Sequence, residues 1–184
     1  MGNPLRDRRT PSELAASGQV IDFSEKINNF VELAKIVQSD LDSLDPAGLP
    51  ADWRDTDVAG RLSFGFADAQ NSRPSLQGRV TATIDAVCQR CLEAFKLALD
   101  VELRFVFDGE ESTAADTAGY EIWELEENTF RPLDLVEEAL IMAMPLVAMH
   151  VDSETCHGPM EIEQRPNEKL RPFAALKSQM EQDN

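Results

Sequence analysis

Apolar and polar positions alternate with a period of two along the middle of the chain. The alternation runs through residues 58–66, 76–87 and 95–107, and residues 120–125 have the same character. Successive residues of a strand face opposite sides of a sheet, so this pattern predicts half-buried antiparallel strands. The connection between the second and third segments is short, which predicts one long hairpin with VCQRCLEA at its exposed tip.

Two further segments have the period of a helix. Residues 24–44 carry apolar side chains three and four positions apart, and DPAGLP ends this stretch with proline and glycine. Residues 133–144 follow a proline suited to a first helical turn and are apolar all round from Ala139 onward. The expected fold is therefore α+β: an antiparallel sheet with a long hairpin, packed by an N-terminal amphipathic helix and a buried helix in the C-terminal half.

The ends of the chain lack a sustained period. We expect residues 1–19 to form a flexible N-terminal arm and residues 20–160 a single α+β domain. Residues 161–184 are expected to form a polar tail with one short helix beginning at Pro172. A length of 184 residues is sufficient for one domain with a buried core.

The strongest feature of the composition is a formal net charge of −17. Phosphate backbones are bound by Lys and Arg, so an acidic protein repels nucleic acid over most of its surface. Residues 108–127 contain eight carboxylates and no Lys or Arg. Such a stretch is either solvated surface or a docking surface for a basic protein partner.

The chain carries no sign of a membrane or secreted protein. No apolar run approaches the roughly 20 residues needed to span a bilayer. The three cysteines are an odd number, which argues against a secreted disulfide framework. We therefore expect a cytoplasmic protein with reduced thiols and no membrane partner.

All thiol and imidazole groups fall in two short segments. Cys88 and Cys91 form a C-x2-C motif at the predicted hairpin tip, a spacing that lets two thiolates converge on one ion. The second segment contributes Cys156 and His150, with His157 as the alternative fourth ligand. This set predicts a structural zinc site with four protein ligands.

Two other interpretations of the C-x2-C motif stay open. A redox-active dithiol normally begins a helix, whereas these cysteines lie between two strands. The thiols could also be unliganded residues of a hairpin tip. A catalytic zinc is disfavoured because four N/S ligands leave no position for water. No P-loop, G-x-S-x-G or Rossmann glycine motif points to another enzyme class or to a small-molecule substrate.

Four separated motifs occur in a characteristic order. They are CQRCLEAF, PLDLVEEALIMAMPLVAMH, Cys156 six residues after His150, and RPFAAL near the end. In this order they resemble the YceD family, the large ribosomal RNA subunit accumulation proteins of bacteria and chloroplasts, from about Leu76 to Leu176. The family usually has Asn where this chain has Arg171. The resemblance implies a role in 23S rRNA accumulation and large-subunit biogenesis, with no established catalytic residues.

The charge and the resemblance together define the functional hypothesis. Candidate RNA-binding residues on the hairpin are Arg79, Arg90 and Lys96, with Arg73 and Arg104 nearby. The net charge favours action on rRNA through a basic partner, either a ribosomal protein or an rRNA-processing protein. The alternatives are an enzyme using Cys88 and Cys91, through thiol redox chemistry or a metal, and a chaperone-like binder of a basic protein.

Overall fold

The structure is a computed structural model, and it describes residues 3–70, 72–108, 119–125, 127–151 and 156. The polar tail expected over 161–184, with its short helix, lies outside these residues.

Within the described residues, five strands form one sheet in which the order across the sheet is the order along the chain. β1 to β4 pair antiparallel, and β5 pairs parallel with β4. The strands are β1 Val20–Lys26, β2 Asp57–Phe66, β3 Pro74–Val87, β4 Ala94–Asp108 and β5 Glu121–Glu124. The predicted long hairpin is the β3–β4 pair, whose register runs from Ser75 opposite Val106 to Val87 opposite Ala94.

The described part of the chain contains three α-helices, namely α1 Pro11–Ala16, α2 Val31–Leu41 and α3 Pro132–Ala143. α1 and α2 contact the middle of the sheet, while α3 contacts β4 and α2. Short 3₁₀ turns occupy Ile27–Asn29, Pro46–Gly48 and Trp53–Asp55. No helix in the described part of the chain is long and apolar enough to span a membrane.

The core lies between one face of the sheet and the helices. Leu76, Val80 and Ile84 of β3 are fully buried, while Gln77 between them is exposed. Burying such side chains removes apolar area from water and supplies the main stabilisation of the fold. The period of two in the sequence thus marks the inner face of the hairpin, as predicted.

The predicted strands and the second helix agree with the structure to within two residues at each boundary. The long helix predicted over 24–44 is wrong in its first part, because residues 20–26 form β1. Ile21 is buried and its neighbours Val20 and Asp22 are exposed, which is strand alternation. α2 begins only at Val31, where the carboxylate of Glu137 accepts hydrogen bonds from the backbone of its first turn.

Two further details of the predicted fold need correction. The sheet is mixed, because β5 runs parallel to β4. A period of two reports which face a residue occupies and carries no information about strand direction, so this could not be inferred from the pattern. α3 is also not buried all round, since Met142 is 73% exposed and only one side of the helix faces the core.

The segment expected to be a flexible N-terminal arm packs against the core from Asn3 onward. Leu5 is fully buried, and its carbonyl accepts a hydrogen bond from the Leu133 N–H at 2.9 Å. Arg9 forms an isolated antiparallel bridge with Phe130. α1 has a complete capping box, in which Thr10 and Glu13 each bond the other's backbone. The apolar residues in this short polar segment are enough to fix it.

Candidate metal centre

The hairpin turn places two cysteines side by side. The Cys88 N–H donates to the Glu93 carbonyl and the Leu92 N–H donates to the Cys88 carbonyl, both at 2.9 Å. Leu92 has a φ of 60°, a left-handed conformation that a side chain with a Cβ normally avoids. The reversal at Leu92 lets the chain enter β4 while Cys88 and Cys91 stay on the same side of the turn.

A second segment, which follows α3, completes the cluster. The Gln89 N–H donates to the Ala148 carbonyl at 2.9 Å, which attaches this segment to the hairpin turn. The ring of Phe95 lies 4.7 Å from the imidazole of His150, centroid to centroid, and restrains its orientation. Cys156 lies beside Cys88 of the turn and is buried.

The four side chains Cys88, Cys91, His150 and Cys156 lie together. Their ligand atoms are all within 4.8 Å of one another. The Sγ atoms of Cys88 and Cys156 are 3.6 Å apart, and Cys91 Sγ is 3.5 Å from His150 Nδ1. A tetrahedral site with zinc–sulfur bonds of about 2.3 Å has sulfur atoms roughly 3.8 Å apart, so these separations fit such an ion.

The surroundings lower the pKa of one thiol, Cys88, and raise the pKa of its neighbour Cys91. Burial alone would raise the pKa of Cys88, but the backbone N–H groups of Cys91, His150 and Arg90 point at its sulfur and lower that pKa to about 5. Burial, together with the neighbouring thiols of Cys88 and Cys156, raises the pKa of Cys91 to about 11. Two thiolates so close together repel each other, and a bound cation would remove that repulsion.

A fifth residue supplies positive charge at the edge of the cluster. The Arg90 Nε–H donates to Cys156 Sγ at 3.0 Å, and the pKa of Arg90 is raised by this hydrogen bond and by the charge of Cys156. Three thiolates with one divalent cation leave a net negative charge, which this guanidinium offsets. The cluster therefore has the donors and the charge balance of a closed metal site.

Comparison with known proteins identifies the family. The model of the family described as large ribosomal RNA subunit accumulation protein YceD matches residues 76–178. The chain belongs to the YceD family. The large ribosomal RNA subunit accumulation protein YceD of Haemophilus influenzae is 36% identical over 135 residues, covering 66% of this chain and 72% of that relative. No solved structure matches the chain.

The part of the chain that matches the YceD family contains the whole cluster. β4, β5, α3, all four ligand candidates and β3 except its first two residues lie within 76–178, whereas β1, β2, α1 and α2 come before it. The alternative fourth ligand His157 lies outside the described residues. Among those described, His150 is the imidazole that meets the three thiols.

The predicted RNA-binding residues of this YceD-family protein all make contacts within the chain. Arg79 forms a two-pronged ion pair with Asp100 across the hairpin, with one contact at 2.7 Å. The Lys96 ammonium is 2.8 Å from the buried carboxylate of Asp85. Arg90 donates a hydrogen bond to the sulfur of Cys156. The structure therefore spreads the three along the hairpin and does not gather them into one basic patch.

Several residues that shape the cluster were not recognisable as such in the sequence. Arg90 lies inside the C-x2-C motif, but a basic residue there has no obvious reason to contact Cys156, 66 residues away in the chain. Phe95 reads as the first inward residue of a strand. Asp40 of α2 accepts a hydrogen bond from the Val87 N–H at 2.7 Å and fixes the end of β3 beside the cysteines. The sequence indicated the four Cys and His members of the cluster, through the C-x2-C spacing and their restriction to two segments, but none of these three neighbours.

Proposed function

We propose that this protein is a non-enzymatic ribosome biogenesis factor that supports accumulation of 23S rRNA and assembly of the large subunit. Membership of the YceD family and the name of the Haemophilus influenzae relative support this role. The proposal adds that the protein acts through a basic protein partner, either a ribosomal protein or an rRNA-processing protein.

One observation carries the choice of a protein partner over direct RNA contact. The hairpin cations Arg79, Lys96 and Arg90 are each held by a carboxylate or a thiol of the same chain. These contacts compensate part of the positive charge that a phosphate would meet, and the net charge of −17 would oppose the approach of RNA. A basic protein meets no such barrier, because the acidic surface attracts it.

We propose further that Cys88, Cys91, His150 and Cys156 bind a structural zinc ion. Zinc prefers four tetrahedral N and S ligands in structural sites, and four ligands leave no open position for a substrate or a water molecule. The ion would tie the segment after α3 to the hairpin turn. The site would thus stabilise the end of the sheet without taking part in a reaction.

A thiol redox function is less well supported by the geometry. A redox-active cysteine must be reached by its substrate as a thiolate. Cys88 has the lowered pKa, but its exposed fraction is 0%. Its partner Cys91 has a raised pKa. The more acidic thiol is therefore the less accessible one, which suits a metal ligand better than a nucleophile.

Affinity purification from cells, with and without nuclease, tests the proposed partner. We expect a basic protein of the large subunit or its processing machinery to stay bound after nuclease treatment, while rRNA is lost. Replacing Arg79 and Lys96 with Gln should leave this association nearly unchanged, whereas replacing the carboxylates of residues 108–127 with amides should weaken it. Tight binding of the purified protein to naked 23S rRNA fragments at physiological salt, lost in the Arg79 and Lys96 variant, would contradict the proposal.

Elemental analysis of protein purified without a histidine tag tests the metal. We expect about one zinc per chain, in line with a single four-ligand site. Cys88→Ser and Cys156→Ser should each abolish tight zinc binding. A metal-free protein whose thermal stability does not change in a chelator would contradict a structural zinc.

A further inference from the structure

We propose that a groove between β5 and α3 is the docking site for an extended segment of the basic protein partner. The inference rests on the proposed function and specifies where the partner binds and which chemistry it presents. The groove, called here the β5–α3 groove, has a volume of about 610 Å³. It lies at the sheet edge opposite β1, formed by residues 121–125 on one side and by α3 on the other.

Six apolar residues line the β5–α3 groove, and together they are called its floor here. They are Phe105, Ile122, Trp123, Leu125, Ala139 and Met142. Ile122 is 43% exposed and Met142 is 73% exposed, although both are large apolar side chains. The ring of Trp123 packs edge-on against Phe105 at 5.1 Å, so the floor is held in place from below. Exposed apolar side chains grouped in a concave surface indicate a site that a partner covers.

The rim of the same groove is acidic. Its charged residues are Glu121, Glu124, Asp134 and Glu138. Asp134 is paired with Arg131 at 2.8 Å, while the other three carboxylates form no ion pair within the described part of the chain. This is the reverse of the hairpin, where cations such as Arg79 and Lys96 are satisfied internally. The rim therefore has negative charge available for an external cation.

The shape of the groove favours an extended occupant. β5 is the last strand of the sheet, and its only strand neighbour in the described residues is β4. The free edge of a strand offers unpaired backbone N–H and C=O groups, which a second strand can bind by adding to the sheet. Each face of β5 carries one acidic and one apolar side chain, so an extended segment with both basic and apolar residues would find both kinds of contact along this edge.

Charge also decides between possible occupants. RNA would bring phosphates against three carboxylates that lack partners in the described structure. A second copy of this chain would bring a further net charge of −17. A basic segment gains from both the floor and the rim, because apolar burial supplies affinity and opposite charge supplies selectivity and speed of encounter.

Binding of a short labelled peptide to the full-length, metal-containing protein tests the groove. The probe is a fluorescein-labelled 11-residue peptide in which lysines alternate with valines, and binding is followed by fluorescence anisotropy at physiological salt. One control peptide has glutamates in place of the lysines, and another has serines in place of the valines. We expect the probe to bind at least about tenfold more tightly than either control, since both charge and apolar contact are required.

Variants of the protein locate the binding. Glu121→Gln, Glu124→Gln and Glu138→Gln combined should weaken probe binding about tenfold by removing the opposing charge. Ile122→Arg with Met142→Arg should weaken it at least as much by filling the floor with cations. The matched control, Asp42→Asn with Asp45→Asn and Asp55→Asn, removes three carboxylates that do not line the groove. It should change binding less than about twofold, through general electrostatics alone.

Three outcomes would overturn the proposed groove. These are equal binding of the lysine and glutamate peptides, equal loss of binding in the rim and control variants, and tighter binding of single-stranded RNA than of the probe. Association with large-subunit precursors is measured in parallel on the wild-type protein. If that association is absent while probe binding at the groove persists, the proposed function fails and the groove stands. If it is present but the rim and floor variants bind the probe normally, only the groove fails.

Discussion

The helix-covered part of the sheet and the tip of the hairpin are stabilised in different ways. Under the helices, Phe30, Leu33 and Leu62 are fully buried among other apolar side chains. At the tip, Leu92 is 68% exposed, and the chain is held by backbone hydrogen bonds and by four ligand-type side chains. The first region depends on apolar area removed from water, and the second depends on a few specific contacts.

The two regions should respond differently to mutation and to loss of a ligand. Apolar packing is distributed, so a cavity in the core lowers the free energy of unfolding of the whole domain. A ligand cluster is local, so its loss should release the tip and leave the sheet beneath the helices folded. Proteins open in such local units when one part has few buried apolar contacts.

The largest expected effect is in the core. Phe30→Ala should lower the free energy of unfolding by about 3–5 kcal/mol, because it leaves a large cavity beside α2. Val31→Ala, at the next residue but 55% exposed, should cost less than about 0.5 kcal/mol. Chemical denaturation measures both. If Phe30→Ala also abolished binding of the proposed zinc ion by the folded protein, the two regions would not be independent.

Metal removal should act on the tip. After treatment with a chelator, we expect backbone amides of 86–95 and 148–151 to exchange with solvent much faster, while those of β2 keep their protection. Hydrogen exchange followed by mass spectrometry measures the exchange rates of the tip and of β2 in one experiment. Uniform loss of protection over the whole sheet would mean that the ion stabilises the core as well.

Arg90 should tune the cluster without being a ligand. Arg90→Gln removes the hydrogen bond to Cys156 and the compensating charge, so we expect zinc affinity to fall about tenfold. Arg79→Gln, a change of the same charge at an exposed position of the same hairpin, is the control and should leave the affinity unchanged. Competition with a chromogenic chelator measures the zinc affinity of both variants. An equal decrease in affinity in the two variants would mean that the loss of positive charge alone causes the effect.

Glu137 should contribute to stability through α2. Its carboxylate accepts hydrogen bonds from the N–H groups of Glu32 and Leu33, at a helix start where the N-cap side chain makes none. Glu137→Gln keeps the shape but loses the charge at the positive end of the helix, which should cost about 1 kcal/mol. Glu138→Gln, one residue further on, should have no measurable effect on thermal unfolding. An equal loss of stability in Glu137→Gln and Glu138→Gln would argue against a capping role for Glu137.

The smallest effect concerns the turn itself. Leu92→Gly should raise the free energy of unfolding of the metal-bound protein by about 1 kcal/mol or less, because glycine adopts the left-handed conformation without strain. Leu92→Ala, which keeps a Cβ, is the control and should give no gain. A destabilising Leu92→Gly would show that the leucine side chain makes a contact that outweighs the strain.

The sequence predicted regular features well and long-range ones poorly. The alternation in β3 and β4 determined the inner face of the hairpin, because it reflects burial directly. The C-x2-C spacing indicated a metal site, and the structure brings Cys156 and His150 to the same place. Zinc itself stays a prediction.

The features that were missed depend on partners distant in the chain. The helical period that begins at Ile27 predicts a helix start at Ser24, a possible capping residue, but pairing with β2 makes residues 24–26 the end of β1. The direction of β5, the burial of Leu5 and the contact of Arg90 with Cys156 likewise follow from tertiary structure. The sequence shows the net charge but not the role of each acidic residue. The structure shows that Glu137 caps α2, while its neighbour Glu138 lines the β5–α3 groove.

The sequential order of the strands bears on how the chain acquires its structure during synthesis. β2, β3 and β4 are joined by short connections, so these two hairpins can form one after another, which favours rapid folding, whereas residues 27–56 with α2 separate β1 from β2. The bridge between Arg9 and Phe130 is different, since it joins residues 121 positions apart. This bridge can form only after Phe130 has been made, whereas α1 in the same segment packs on β2 and β3, which are made earlier. The cluster at the hairpin turn is completed later still, because it needs His150 and Cys156.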